Sequence, residues 1–213
     1  MVDVASPELP NTSWTTRLVL LGLVAMAVGV LGLTGGLDPV SKPPPAPLPT
    51  VAVSQAVDAG PWRASVTNAA AAKDFGSFKP KTEGNWLLAV AVRIEVTGPD
   101  SVRASLLNQI ARLPEFAGLV DNREPDQRVG GAEPLAVLLI RDASNLEYIN
   151  PGLPERVAYI FEVTAGTPVP KQVVVALSGY TARMSWTMRR LIWDDFGEQA
   201  RVVVAVDNRV GTP

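Results

Sequence analysis

Apolar residues along this chain first run unbroken and then alternate. From Leu18 to Leu37 (LVLLGLVAMAVGVLGLTGGL) twenty residues carry no charge. A bilayer core about 30 Å thick is crossed by about 20 apolar residues at 1.5 Å rise each, so the run predicts one transmembrane helix. It exceeds the roughly 7–15-residue apolar core of a cleaved signal peptide, which favours an uncleaved signal-anchor. Residues 1–17 are polar and are expected to form a short cytoplasmic tail. Thr12 or Ser13 can cap the helix there, and Trp14 sits at the interface. Basic residues tie across the span, with Arg17 before it and Lys42 after it. The orientation, N-terminus inside and C-terminal domain outside, therefore rests on the usual plan of a short tail, one span and a large domain.

Small residues recur within the run at Gly22, Ala25, Gly29, Gly32 and Gly36. Spacings of three and four put all five on one helix face. Such a face lets membrane helices approach closely, so a membrane-protein partner or a second copy is expected there. The plainer reading is the ordinary glycine content of membrane helices. Residues 38–50 follow as a linker. Its SKPPPAPLPT stretch has five prolines in ten residues, which predicts a polyproline II stalk about 30 Å long.

From residue 51 to 213 the dominant period is two, the signature of strands. Val51, Val53 and Val57 alternate before a break at Asp58–Pro61, and Trp62, Ala64 and Val66 begin a second strand. Asn85–Thr97 is the clearest strand, with Trp86, Leu88, Val90, Val92, Ile94 and Val96 on one face and Arg93 and Glu95 on the other. Ser101–Leu113 reads as either helix or strand; Val102, Leu106, Ile110 and Leu113 fit one side of a short helix capped by Asp100. A polar loop over Glu115–Pro134 precedes an apolar strand at Leu135–Arg141. Further strands are predicted at 157–163, Gln172–Ser178, around Met184–Met188, and at Arg201–Val206. Trp62 and Trp86 read as core aromatics.

Seven or eight short strands joined by Gly/Pro turns, without a βαβ rhythm, predict an all-β sandwich. Three features carry a resemblance: the strand opening on Gly60-Pro61-Trp62, the long alternating strand ending in Thr97-Gly98, and Asn150-Pro151-Gly152 before Arg156–Val163 (RVAYIFEV). Together they resemble the telokin-like immunoglobulin-fold domains of bacterial cell-envelope proteins, over about Val51 to Asp207. The resemblance implies an immunoglobulin-like β-sandwich at the cell surface and no particular activity, and it carries over no functional residue.

Composition narrows the chemistry. The 213 residues include no His and no Cys, and the net charge is −2. Ser-His-Asp and Cys-His catalysis and His/Cys zinc sites are therefore excluded, and the near-neutral charge argues against a nucleic-acid partner. No Ser-x-x-Lys pair or phosphate-binding loop occurs. Carboxylates remain: Asp194, Asp195 and Glu198 in IWDDFGE, and Asp121, Glu124 and Asp126. Neither set matches a calcium loop, and both read more plainly as solvated turns. No catalytic residue, cofactor or metal is expected.

The last candidate is Arg183–Trp193 (RMSWTMRRLIW), where Met and Trp alternate with basic residues. Arg183, Trp186, Arg189 and Arg190 are the candidate contacts for a partner, glycan or small ligand. The plainer reading puts Met184, Trp186 and Met188 in the core. The expected protein is a non-enzymatic, single-pass envelope protein making protein contacts, in the manner of an accessory subunit of a membrane assembly. Ligand binding by the 183–193 edge is the alternative.

Overall fold

The computed structural model describes residues 14–33, 47–121, 132–185 and 187–211; for Thr15, Leu31, Gly32, Leu33, Arg190 and Leu191 it describes the backbone only. The chain divides at Ala46/Pro47 into two units. In the first, helix α1 runs from Trp14 to Leu33. Its uncharged part within the described residues is Leu18–Leu33, sixteen residues or about 24 Å at 1.5 Å each, short of the roughly 30 Å of a bilayer core. Among the described residues no helix is long and apolar enough to cross a membrane. Residues 34–37 of the expected span, with Gly36, and residues 38–46 of the expected stalk lie outside the described residues.

The second unit is all-β, as its period of two predicts. Its strands are β1 (Thr50–Val51), β2 (Val57–Asp58), β3 (Trp62–Ala72), β4 (Trp86–Val96), β5 (Val102–Arg103), β6 (Ala111–Arg112), β7 (Ala136–Leu139), β8 (Tyr148–Ile149), β9 (Glu155–Val163), β10 (Gln172–Ser185) and β11 (Arg190–Asn208). One layer is ordered β3–β4–β9–β7, with β2 on β3; the other is β6–β10–β11, with β1 parallel to β11. β11 joins them, since its last residues, Val206–Asn208, leave β10 and pair in parallel with Ala69–Ala71 of β3.

Alternation builds the core between these layers. Trp86, Leu88, Val90, Val92, Ile94 and Val96 are all buried, in one cluster with Val157, Tyr159, Phe161 and Val163 of the adjacent β9 and Val173, Val175, Leu177, Val202 and Val204 of the second layer. Trp62 and Trp86 are buried core aromatics. A smaller apolar cluster lies on the other face of the first layer, where Leu87, Leu138 and Ile160 pack under Phe75 and Phe78. Glu162, 1% exposed, borders this region. Its carboxylate accepts hydrogen bonds from the Lys81 and Thr82 backbone N–H groups and from Asn85 Nδ2, at 3.2, 3.0 and 2.7 Å. Burial alone would raise the Glu162 pKa, but these hydrogen bonds, led by Asn85, outweigh it and hold the carboxyl below its ordinary value.

Three local expectations are corrected. Ser101–Leu113 is not a capped helix: β5 leads into a single helical turn, α2 (Ala104–Leu107), and then into β6. Leu107, Ile110 and Leu113 are buried, whereas Leu106 is exposed, so apolar spacing here reflects loop residues plugging the sandwich. Arg103, not Asp100, holds the N-cap position and makes no side-chain cap. The strand expected at 172–178 runs on to Ser185 as one strand, β10, so only Met184 and Ser185 of the stretch expected around 184–188 are in a strand, and residues 187–189 form the turn. Likewise Asp194, Asp195 and Glu198 lie inside β11 rather than in a turn.

Candidate functional site

β10 and β11 form a hairpin longer than the core they belong to. From Gln172 to Leu177 it pairs with Ala200–Ala205 and is built of alternating buried Val, Ala and Leu. Two register irregularities follow, at Leu177/Ser178 and Gly179/Thr181. Bulges bend a strand and increase its twist, and beyond them the hairpin continues as Thr181–Ser185 against Arg190–Asp194.

This waist is fixed by close backbone contact with the turn before β3. A Cβ on Gly179 would overlap the carbonyl oxygen of Ala59 and lie 2.5 Å from its Cβ. One on Gly60, whose φ is +85°, would lie 2.5 Å from the Tyr180 carbonyl oxygen. Only glycines allow these elements to meet. The Tyr180 N–H donates to the Ala59 carbonyl at 3.2 Å, and Trp62 Nε1 donates to the Ser178 carbonyl at 3.3 Å. Tyr180 also makes edge-on contacts with Trp62 and Phe196, at centroid distances of 5.7 and 4.9 Å.

Directly paired residues of an antiparallel ladder share a face. Ala182 pairs with Trp193, and Met184, two residues on, shares their face; Thr181 pairs with Asp194 and Arg183 with Ile192 on the other. Met184 is 57% exposed, Trp193 49% and, in the turn, Met188 61%. The expectation that Met184 and Met188 fill the core is thus corrected: the hairpin has run past the core that would have covered them. One edge of the Trp193 ring lies over Gly60. The turn is held by Ser185, whose hydroxyl accepts the Met188 N–H at 3.2 Å and whose carbonyl accepts the Arg189 N–H at 2.8 Å.

The structure places the candidate contacts unevenly. Arg183 Nε donates to Asp194 Oδ2 across the strands, and this hydrogen bond holds the Asp194 carboxyl below its ordinary range. Arg189 is exposed in the turn at φ +50°. Arg190 pairs with Ser185 through its position in the ladder, and Trp186 lies outside the described residues. Trp193 was missed as an anchor; small Ala182 opposite it and Gly60 beneath it are the signals that make room for it. The carboxylates serve as ion-pair partners: Glu198 meets Arg201 at 3.1 Å, and Arg201 also meets Glu115 at 2.5 Å. Glu124 and Asp126 lie outside the described residues. Among the described residues no group of three or more acidic side chains could hold a metal ion. Gly22, Ala25, Gly29 and Gly32 fall along α1, and a Cβ on Gly22 or Gly29 would meet nothing within 4 Å.

No family model and no curated protein matches this chain. Among solved structures it is similar to an uncharacterised β-sandwich protein from Clostridium difficile 630, with 11% identity and a TM-score of 0.45. The match covers 77% of this chain and 97% of that one.

Proposed function

We propose that this chain is a membrane-anchored, non-enzymatic recognition module whose β10–β11 tip contacts a partner protein, as an accessory subunit of a membrane assembly does. The observation that carries the reading is the exposure of Met184, Met188 and Trp193 on a hairpin end whose waist is held against Ala59 and Gly60. Aromatic and Met side chains half exposed on a fixed support are the usual anchors of protein interfaces. The absence of His and Cys from the whole chain supports a binding role over a catalytic one.

The anchor is part of the proposal. Leu18, Val19, Leu20, Leu21, Leu23 and Val24 are all exposed along α1, and a helix apolar all round is suited to a membrane or a protein core. An N-terminus inside and the sandwich outside complete the topology. The immunoglobulin-type, telokin-like reading belongs here too. Lettering β3, β4, β6, β7, β9, β10 and β11 as A to G turns the two layers into A-B-E-D and C-F-G, the immunoglobulin order. The tip then occupies the F–G position, where many such domains bind.

The test is purification of the full chain from its native membranes in mild detergent after alkaline carbonate washing. The chain should stay with the membrane pellet and bring down a stoichiometric partner, which Trp193→Ala combined with Met184→Ser should release. Release of the wild-type chain by carbonate sinks the anchor; retention of the partner by the double variant sinks the hairpin. A glycan or small ligand at the same edge is the alternative, and it would show as saturable binding lost in Trp193→Ala without any protein partner.

A further inference from the structure

We infer that the outer face of β3 and β4 carries a binding site for a small monocarboxylate that also bears hydroxyl or ammonium donors. A cleft of about 360 Å³ opens there, lined by Ser54, Arg63, Ser65, Thr67, Arg93 and Glu95. This is the size of a small-ligand pocket, which typically runs about 300–1,000 Å³.

Register explains how the cationic groups come together. Ser65 pairs with Arg93 and Arg63 with Glu95, so the two arginines are diagonal neighbours on one face, about 7–8 Å apart at the backbone. Arg156 of β9 pairs directly with Arg93, and like charges facing each other across strands are destabilising. None of these three arginines forms an ion pair among the described residues, although Asp58 and Glu95 both stand opposite Arg63 in the ladders. Both arginines line the one cleft, and a guanidinium fork suits the planar, bidentate geometry of a carboxylate.

The other lining groups refine the ligand. Ser65 is only 7% exposed, and its hydroxyl has no hydrogen-bond partner among the described residues. Among the described residues no buried side-chain polar atom lacks a partner, so the Ser65 hydroxyl is open to the cleft, where a ligand oxygen can meet it. Ser54 borders the cleft in the left-handed region, at φ +66°, and is held there by its N–H donating to the Val66 carbonyl at 2.8 Å. Glu95 disfavours a second negative charge and accepts hydrogen bonds, so it selects against phosphate and for hydroxyl or ammonium donors.

The experiment is calorimetric titration of the full chain in detergent with D-glucuronate, D-glucose and inorganic phosphate. At about 13 heavy atoms, glucuronate should bind with a Kd on the order of 1 mM, with glucose and phosphate at least about tenfold weaker. Arg63→Gln, Arg93→Gln and Arg93→Lys should each weaken glucuronate about tenfold or more, the Lys variant because it keeps the charge but loses the fork. Glu95→Gln should improve phosphate binding. Each variant is read only after its thermal melt matches the wild type, which exposed positions allow. No saturable glucuronate binding, equal binding of phosphate or glucose, or arginine variants that bind as the wild type would each overturn the site.

Discussion

Replacing Glu162 with Gln tests whether the loop over β4 and β9 is clamped by a charge. In the wild type one carboxylate takes three N–H donors, two from the Lys81–Thr82 backbone and one from Asn85. Asn85 in turn accepts the Ala165 N–H at 2.8 Å, so the clamp reaches a second loop. Hydrogen bonds to a charged group contribute about 1.5–3 kcal/mol each. Gln keeps one acceptor oxygen but turns an NH2 toward the remaining donors, so Glu162→Gln should cost about 2–4 kcal/mol. Because folding lowers the Glu162 pKa, its contribution is present above the unfolded value of 4.5 and is lost as pH falls below that toward the native pKa. Urea unfolding followed by tryptophan fluorescence between pH 7 and pH 3 measures both effects. The wild type should lose stability on acidification, and the variant should start lower and lose less. A variant within about 0.5 kcal/mol of wild type at pH 7, with an unchanged acid limb, would refute the clamp.

Three further perturbations are equally specific. Gly179→Ala should destabilise by about 1–3 kcal/mol in thermal unfolding, because its Cβ must push Ala59 away and take the Tyr180–Ala59 hydrogen bond with it. Tyr159→Phe should cost about 1–3 kcal/mol by urea titration, since the buried phenol donates to the Leu107 carbonyl at 2.7 Å and that oxygen would be left unpaired. Burial also pushes the Tyr159 pKa far above the ordinary 10, so its phenol should not titrate in an ultraviolet scan before the protein unfolds. Leu at both Gly29 and Gly32 should abolish association through α1 in a membrane crosslinking assay; unchanged crosslinking would reduce those glycines to composition.

Strand alternation made most of the sandwich legible. Asn85–Thr97 reads correctly because six inward residues alternate without exception, and β4 is the spine against which β3 and β9 pair. The long hairpin was less legible because polar and apolar residues in Arg183–Glu198 alternate for exposure rather than for burial. Asp194 and Asp195 resemble a turn but sit in a strand, where Arg183 answers Asp194 and Asp195 takes the left-handed conformation, φ +50°, opposite the register shift between Gly179 and Thr181. Ser101–Leu113 misled because its buried residues plug the end of the core from a loop, which leaves a helix-like spacing without a helix. The cleft between Arg63 and Arg93 could not be read at all, since the two residues lie thirty positions apart and only the β3–β4 register makes them neighbours.

The central claim, that the hairpin tip is the working surface, is tested most directly by photocrosslinking in native membranes. A benzophenone amino acid placed at Met188, in the exposed turn, is compared with one at Val203, an exposed position of β11 beside the core. A single discrete protein adduct is expected from position 188 and none from 203. No adduct at 188, or the same adducts from both positions, would contradict it.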